Sequence, residues 1–236
     1  MTLRALGLIP ARGGSKGVVR KNLRLAGGRT LLEHAVRAAG AARRLDAFAV
    51  TSDDPEILDA ARALDAPVVE RPAGLAEDAT PMVPVLVHAL EEMERRTEAR
   101  FDVVVLLQPT SPIRRGTDID AAVERLTRDA AADSVIGVCR MDDVHPARMY
   151  RLEADDRLVP LDPERERLNR QDLPPVYYRN GAVYAVRRDT LVRDGRVMGA
   201  RPAALVMPTA WLANVDDERD LLVADTLVRA WEEGRL

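Results

Sequence analysis

Residues 101–108, Phe-Asp-Val-Val-Val-Leu-Leu-Gln, are a nearly continuous apolar run that ends on a polar amide. A strand with one face in water alternates polar and apolar positions, so an unbroken run of this length predicts a strand covered on both faces. Such strands occupy the centre of sheets that carry helices on each side. The run therefore predicts the centre of an α/β fold, with Gln108 at the edge where the strand ends.

Outward from this run, short apolar segments alternate with segments of helical periodicity. The other predicted strands are residues 3–9, 46–51, 67–69, 134–139, 181–186 and 204–207. Helices are predicted over 31 to about 43, after Asp54-Pro55, after Thr80-Pro81, from a Thr117 cap to about 128, and from about 217 to 233. This alternation predicts a doubly wound, mostly parallel, twisted sheet with helices on both faces.

Residues 140–178 break the alternation, because they are polar, rich in arginine and proline, and weakly periodic. A segment of this length inside a compact domain usually serves a function. We therefore divide the chain into an α/β domain (residues 1–139 and 179–236) and a small insert (residues 140–178). The insert is expected to be a lid over the acceptor or a subunit interface.

The composition of the 236 residues narrows the function. Basic residues number 35 against 38 acidic ones and 3% are aromatic, which argues against nucleic-acid binding. The single Cys139 excludes a disulfide framework and a zinc site built on cysteines. There is no signal-peptide pattern and no run of about 18 apolar residues, so we expect a cytoplasmic protein with no membrane partner.

The first loop, Arg12-Gly13-Gly14-Ser15-Lys16-Gly17, directly follows the first predicted strand. Ligands of open α/β sheets bind beyond the carboxyl ends of strands, where glycines let backbone N–H groups approach phosphate oxygens. Arg12, Lys16, Arg20 and Lys21 add positive charge, so the loop predicts a phosphate site; a solvated turn is the alternative. The Walker pattern is absent, which argues against a P-loop NTPase.

Two later segments also place polar groups beyond strand ends. Gln108-Pro109-Thr110-Ser111-Pro112 follows the central strand, and Asn214-Val215-Asp216-Asp217 precedes the last helix. Carboxylates at Asp216 and Asp217 suit Mg²⁺, which prefers oxygen ligands. Helix capping is the alternative, with Asp216 as the N-cap and Asp217 in the first turn.

Six stretches together resemble the acylneuraminate (CMP-sialic acid) cytidylyltransferases, within the wider nucleotidyltransferase superfamily. In order, these stretches are LIPARGGSKGVVRKN, the segment ending TSDD, VVERPAGLAEDAT, LLQPTSPIR, RQDLPPVYYRNGAVY and NVDDERDL. Their order and spacing follow the family over nearly the whole chain. The resemblance implies a Rossmann-like nucleotidyltransferase fold and an enzyme that transfers CMP from CTP to the hydroxyl of an acidic sugar, with release of pyrophosphate.

The same resemblance implies roles for individual residues. The expected catalytic residues are Arg12 and Lys21, which bind the triphosphate, and Asp216, which binds Mg²⁺. The residues expected around CTP are Arg12, Gly13, Gly14, Ser15, Lys16, Lys21, Asn22 and Arg71. The residues expected around the acceptor are Gln108, Arg148, Arg170, Asn180, Gly181 and Tyr184, with Arg148 reaching across a homodimer. Asp217 is the second expected metal ligand.

One position bears on the metal. Asn214 stands where the family usually has the first aspartate of Asp-x-Asp, so one metal ion and two remain alternatives. The expected acceptor is a sialic-acid-like (nonulosonic) 2-keto sugar acid, and a small phosphonate such as phosphonoformate is the alternative. A catalytically weak nucleotide-binding protein is the alternative of another class.

Overall fold

The computed structural model describes residues 3–15, 17–77 and 79–236. Its strands are β1 (Ala5–Pro10), β2 (Leu25–Ala26), β3 (Arg29–Thr30), β4 (Ala47–Ser52), β5 (Val68–Glu70), β6 (Val103–Leu106), β7 (Ser134–Met141), β8 (Tyr150–Leu152), β9 (Leu158–Pro160), β10 (Val176–Arg187) and β11 (Pro202–Met207). Its α-helices are α1 (Leu31–Ala41), α2 (Pro55–Ala63), α3 (Met82–Thr97), α4 (Gly116–Arg128), α5 (Arg188–Val192) and α6 (Glu218–Glu232).

Seven strands form the central sheet, in the order β11-β7-β10-β6-β1-β4-β5. Strand β10 runs antiparallel to both of its neighbours, and every other pair in this sheet is parallel. The mostly parallel α/β sheet expected from the sequence is thus confirmed. In the described part of the chain, no helix combines the length and the apolar character needed to cross a membrane.

Strand β6 shows why its sequence lacks alternation. Val103 and Val105 point into the apolar core under α1, α4 and α6. Val104 and Leu106 point into a second core under α3. Each of the four side chains is at most 3% exposed, so both faces of the strand are dry. The central position predicted for this run is confirmed.

The predicted helix starts have mixed outcomes. Thr30 caps α1 as expected, because its hydroxyl accepts from the N–H of Glu33 at 3.0 Å. Thr117 is not a cap: α4 begins one residue earlier, at Gly116, whose missing side chain lets the helix start pack on the backbone of Ala41. Asp217, rather than Asp216, is the N-cap of α6.

The segment between β7 and β10 has structure of its own. Strand β7 continues to Met141, and β10 begins at Val176, five residues before the predicted start at 181. Strands β8 and β9 pair antiparallel as a separate two-stranded sheet. The sequence analysis did not predict these strands, because much of the segment faces solvent on both sides. Its apolar residues therefore show no regular spacing. The division into two domains remains our proposal.

Candidate functional site

A cavity of about 260 Å³ lies at the carboxyl edge of the sheet, beyond the ends of β1 and β6. Strand ends meet there because parallel strands share a direction, and α/β proteins bind ligands at this edge. Its lining residues are Pro10, Arg12, Ser15, Gly17, Lys21, Asn22, Arg71, Met82, Gln108, Pro109 and Thr110. The fold thus brings together six predicted site residues, namely Arg12, Ser15, Lys21, Asn22, Arg71 and Gln108.

Side chains of the loop after β1 form hydrogen bonds with the backbone of the same loop. The N–H of Lys21 donates to Ser15 Oγ at 3.0 Å, and Asn22 Nδ2 donates to the carbonyl oxygen of Arg12 at 3.0 Å. Asn22 is buried, so this bond is shielded from water. These bonds therefore fix the described part of the loop, with Arg12 and Lys21 at the cavity.

Two glycines of this loop sit where no larger residue fits. A Cβ at Gly13 would collide with the carboxylate of Asp54, which caps α2. A Cβ at Gly17 would collide with the carbonyl oxygen of Asp216. Gly14 has open space around it, and Lys16 lies outside the described residues. Gly13 and Gly17 thus allow the loop to approach the starts of α2 and α6 closely.

Lys21 joins the loop to the segment before α6. Its Nζ donates to the carbonyl oxygen of Val215 at 2.9 Å and lies 3.5 Å from Asp216 Oδ1. The Lys21 side chain is only 16% exposed, whereas that of Asp216 is 71% exposed. The ammonium group is therefore fixed at the cavity, with the Asp216 carboxylate at its mouth.

The two predicted metal ligands have different surroundings. Asp217 accepts the N–H of Asp220 at 2.8 Å, so its carboxylate is engaged as a helix cap. Asp216 Oδ2 accepts from Asn214 Nδ2 at 2.8 Å, and Oδ1 faces Lys21. Within the described ranges, no group of three His, Cys, Asp or Glu side chains converges as a metal site. Of the two predicted metal ligands, Asp216 is therefore the one whose carboxylate is exposed next to Lys21, which lines the cavity.

Arg71 supplies a buried positive charge. Its Nη2 donates to the carbonyl oxygen of Thr51 at 2.8 Å, and the residue is 6% exposed. Burial lowers the pKa of Arg71, the nearby Asp53 opposes this shift, and the charge of Arg12 adds to it. Two guanidinium groups that repel one another are better accommodated when an anion lies between them. Arg12 and Arg71 thus favour an anionic ligand.

Gln108, which lines the cavity, lies beside a glycine of β10. Gly181 has a φ of +75°, and a Cβ there would collide with Ser111 Oγ. That Cβ position is 3.4 Å from Gln108 Oε1 and also 3.4 Å from Asn214 Oδ1. Ser111 Oγ donates to Asn214 Oδ1 at 3.1 Å. Polar groups of two loops therefore converge beside this glycine, namely Gln108 and Ser111 from the loop after β6 and Asn214 from the segment before α6.

The other two residues that β10 was expected to contribute lie in packed surroundings. Asn180 is 3% exposed, its Nδ2 donates to Met207 Sδ at 3.0 Å, and its Oδ1 accepts from the N–H of Ala182 at 3.0 Å. These bonds hold the irregular turn of β10 rather than face the cavity. Tyr184 lies beside Leu106 in the sheet, and burial raises the pKa of its phenol.

Arg148 and Arg170 do not line the cavity. Arg148 donates to the carbonyl oxygens of Glu166 and Leu168, and Arg170 pairs with Asp143. All these partners belong to the insert. A single chain therefore leaves both arginines apart from Gln108 and Gly181.

Sequence reasoning assigned no role to Arg114, which is 2% exposed. Its Nη1 donates to the carbonyl oxygen of Ala182 at 2.5 Å, and its Nη2 donates to that of Gln108 at 2.6 Å. Arg114 thus ties the Gln108 loop to β10 beside Gly181. The signal available in the sequence was an arginine directly after Pro112-Ile113, close to the end of the central strand.

Comparisons with known proteins identify the family and the fold. The family profile described as cytidylyltransferase matches residues 6–201. An N-acylneuraminate cytidylyltransferase of Streptococcus agalactiae is 28% identical over 91% of this chain, which spans only 51% of that protein. A CMP-N,N'-diacetyllegionaminic acid synthase of Campylobacter jejuni is 28% identical over 93% of each chain. A structure of CMP:2-keto-3-deoxy-manno-octonic acid synthetase complexed with CTP has the same fold, with a TM-score of 0.70 and 18% identity over 99% of this chain and 100% of the other.

Proposed function

The chain belongs to the cytidylyltransferase family, and on that premise we propose that it transfers CMP from CTP to a sialic-acid-like (nonulosonic) 2-keto sugar acid. Two relatives of similar sequence are named for acidic sugars of this kind, N-acylneuraminate and diacetyllegionaminic acid. Membership of the family implies that the chain is an enzyme that uses CTP. The acceptor is the part that we infer.

One observation carries the proposal: Arg12, Lys21 and Arg71 line one cavity with Gln108 at its other end. No carboxylate lines that cavity, so its described lining carries three positive charges. Such a surface suits a triphosphate, because charge-assisted hydrogen bonds to phosphate are strong. The polar end around Gln108 and Gly181 suits a sugar with many hydroxyl groups.

The reaction is a displacement at the α-phosphorus of CTP. The acceptor hydroxyl oxygen forms the new P–O bond and releases its proton to water, the bond to the bridging oxygen of the β-phosphate breaks, and pyrophosphate leaves with that electron pair. Catalysis of this kind consists mostly of positioning and charge stabilisation. Arg12 and Lys21 would stabilise the charge on the leaving pyrophosphate, and Gln108 would orient the acceptor. The reaction then needs no nucleophilic side chain.

The residues present fit a magnesium ion held mainly by its substrate. Mg²⁺ keeps much of its shell in water and phosphate oxygens and needs only one or two protein carboxylates. Asp216 is exposed at the cavity mouth, whereas Asp217 is engaged as a cap. Asp216 would therefore hold one Mg²⁺, which would neutralise phosphate charge when bound. We favour one ion over two, because Asn214 donates to Asp216 instead of adding a carboxylate.

A homodimer is part of the proposal. Of the sixteen large apolar side chains that are exposed among the described residues, nine lie between Val144 and Tyr178. Apolar surface concentrated in one segment is typical of an interaction site. The insert would then carry Arg148 and Arg170 to the acceptor end of a second copy, where arginine suits a carboxylate.

The test is pyrophosphate release from CTP and Mg²⁺ in the presence of single acceptors. The panel contains 2-keto sugar acids such as N-acetylneuraminate, diacetyllegionaminate and 2-keto-3-deoxyoctonate, together with phosphonoformate, and each reaction has a control without acceptor. We expect stoichiometric pyrophosphate and a CMP-sugar with one of the sugar acids. When residues of the basic loop that line the cavity are replaced, Arg20→Gln is the matched control variant. Arg20 is in the same loop, but it pairs with Glu56 and does not line the cavity.

Other outcomes would redirect the proposal. Release with phosphonoformate alone would keep the reaction and overturn the sugar acid. Binding of CTP without pyrophosphate release for any acceptor would contradict the proposed transfer and favour a nucleotide-binding protein.

A further inference from the structure

A second cavity, of about 620 Å³, lies between α1, the start of α4 and the end of α6. It shares no lining residue with the cavity described above. A volume of this order is typical of sites for small molecules. The proposed cytidylyl transfer makes no use of it.

The lining of this cavity is positively charged. Four arginines and one glutamate line it, namely Arg29, Arg37, Arg114, Arg115 and Glu232. Glu232 pairs with Arg29, and Glu33 lies 3.4 Å from Arg29 and 3.6 Å from Arg37. Burial lowers the pKa of His34, so this ring is neutral at neutral pH. Asp118 is a third carboxylate at this place, because its charge acts on both Arg114 and Arg115. Four guanidinium groups against three carboxylates leave a net charge of one positive unit at the cavity.

One of these charges is buried and forms no salt bridge among the described residues, and Asp118 acts on it only through space. Arg114 bonds two backbone carbonyls, and its Nε is buried with no acceptor among the described residues. A buried charge is costly unless an opposite charge compensates it. An anion in the adjoining cavity would supply that compensation.

The remaining wall is aromatic and apolar. Trp231 lines the cavity together with Ala38, Ala41 and Pro112. The guanidinium of Arg115 stacks over Trp211 at 4.6 Å and lies 6.0 Å from the centroid of Trp231. The two indoles meet edge to face at 6.0 Å. A flat ring would find an apolar and stacking surface beside the arginines.

We propose that this cavity binds a small molecule that carries a phosphate monoester on a flat ring. The phosphate would lie beside Arg37 and Arg115, which both line the cavity and whose guanidinium groups would form charge-assisted hydrogen bonds to its oxygens. The ring would lie against Trp231 and Pro112. Such a ligand is an effector, because Arg114 lines this cavity and also holds the carbonyl oxygen of Gln108.

Tryptophan fluorescence gives a direct test, since Trp211 and Trp231 are the two tryptophans of the chain. The probe is phenyl phosphate, titrated into the full chain without CTP, and benzyl alcohol is the uncharged control. We expect a saturable change in fluorescence with phenyl phosphate alone. Arg37→Gln and Arg115→Gln should each weaken binding by about tenfold, which is the loss of one charge-assisted hydrogen bond.

Arg128→Gln is the matched control, because Arg128 is on α4 but does not line the cavity. Arg37 is exposed on α1 and stacks on no tryptophan, so its variant is expected to stay folded and to keep its starting fluorescence. A change that does not saturate, or equal affinity in Arg37→Gln, Arg115→Gln and Arg128→Gln, would overturn the site. Saturable binding that leaves the KM values for pyrophosphate release unchanged would overturn the effector role.

Discussion

At the scale of single residues, Lys21 and Arg20 show how neighbours in one loop differ in function. Lys21 points inward, where its Nζ lies on the Val215 carbonyl oxygen at the cavity. Arg20 points away, toward Glu56 and the cap residue Asp54. The chain uses lysine at two positions only, Lys16 and Lys21. The ammonium group of lysine is compact and has three donors, so it can bond a carbonyl oxygen and a phosphate oxygen at the same time. The guanidinium group of arginine is planar, so its donors point in different directions from those of the ammonium group.

Replacing Lys21 tests this difference. Lys21→Met should lower kcat/KM for CTP by about a hundredfold or more, because a positioned donor to developing charge is lost. Lys21→Arg should recover only part of the activity, since the planar fork does not fit the same pair of acceptors. The measurement is pyrophosphate release at varied CTP, with Arg20→Gln as the control. Full activity in Lys21→Met would remove this residue from the catalytic set.

At the scale of elements, an ion pair fixes the helices on one side of the sheet. Glu94 of α3 accepts from Arg188 of α5 through two bonds of 3.0 Å, and from the N–H of Phe101 at 3.1 Å. Burial raises the pKa of Glu94, but these hydrogen bonds outweigh it, and the net pKa is lowered. The pair thus joins α3, α5 and the entry to β6.

The lowered pKa predicts a pH-dependent stability. The unfolded chain binds a proton on Glu94 near pH 4.5, whereas the folded chain keeps the carboxylate charged to lower pH. The contribution to the free energy of unfolding is therefore present above about pH 4.5 and is lost as the pH falls through the folded pKa. Glu94→Gln should cost about 2 kcal/mol at pH 7 and flatten the decline below pH 5.

Urea unfolding between pH 3 and 7 measures this effect. Glu91→Gln is the control, because Glu91 is an exposed carboxylate on the same helix. If Glu94→Gln and the parent protein lost stability in parallel below pH 5, the ion pair would not be the source of the slope.

At the scale of the whole molecule, the β8–β9 sheet predicts association. Leu152 and Leu158 are partners in this sheet and are 67% and 63% exposed.

Leu158→Asp should convert the proposed dimer into a single chain of 26.0 kDa, because burying a carboxylate in an apolar interface is costly. Light scattering coupled to size exclusion at micromolar protein measures the mass. Leu222→Asp is the control, since Leu222 is 73% exposed on α6. A parent protein that is already monomeric would contradict the dimer.

The sequence by itself determined the central strand, the order of strands and helices, and the basic loop after β1. These features rest on local rules: an apolar run buried on both faces, helical periodicity, and glycines beside basic residues. The same rules misplaced the start of α4, where the contact of Gly116 with the backbone of Ala41 decided the boundary, and the cap of α6, where a local capping box between Asp217 and Asp220 decided it. They also missed the first half of β10, whose polar residues form a strand because β7 lies beside them.

Only the tertiary structure decided which candidate residues meet. Lys21 reaches Val215 across 194 positions, and Arg114 reaches Ala182 across 68. No local pattern encodes such distances, because they follow from how the sheet orders its strands. The sequence therefore named the cations and the amide of the site. The fold decided that Arg12, Lys21, Arg71 and Gln108 share one cavity and that a buried Arg114 holds the loop of Gln108.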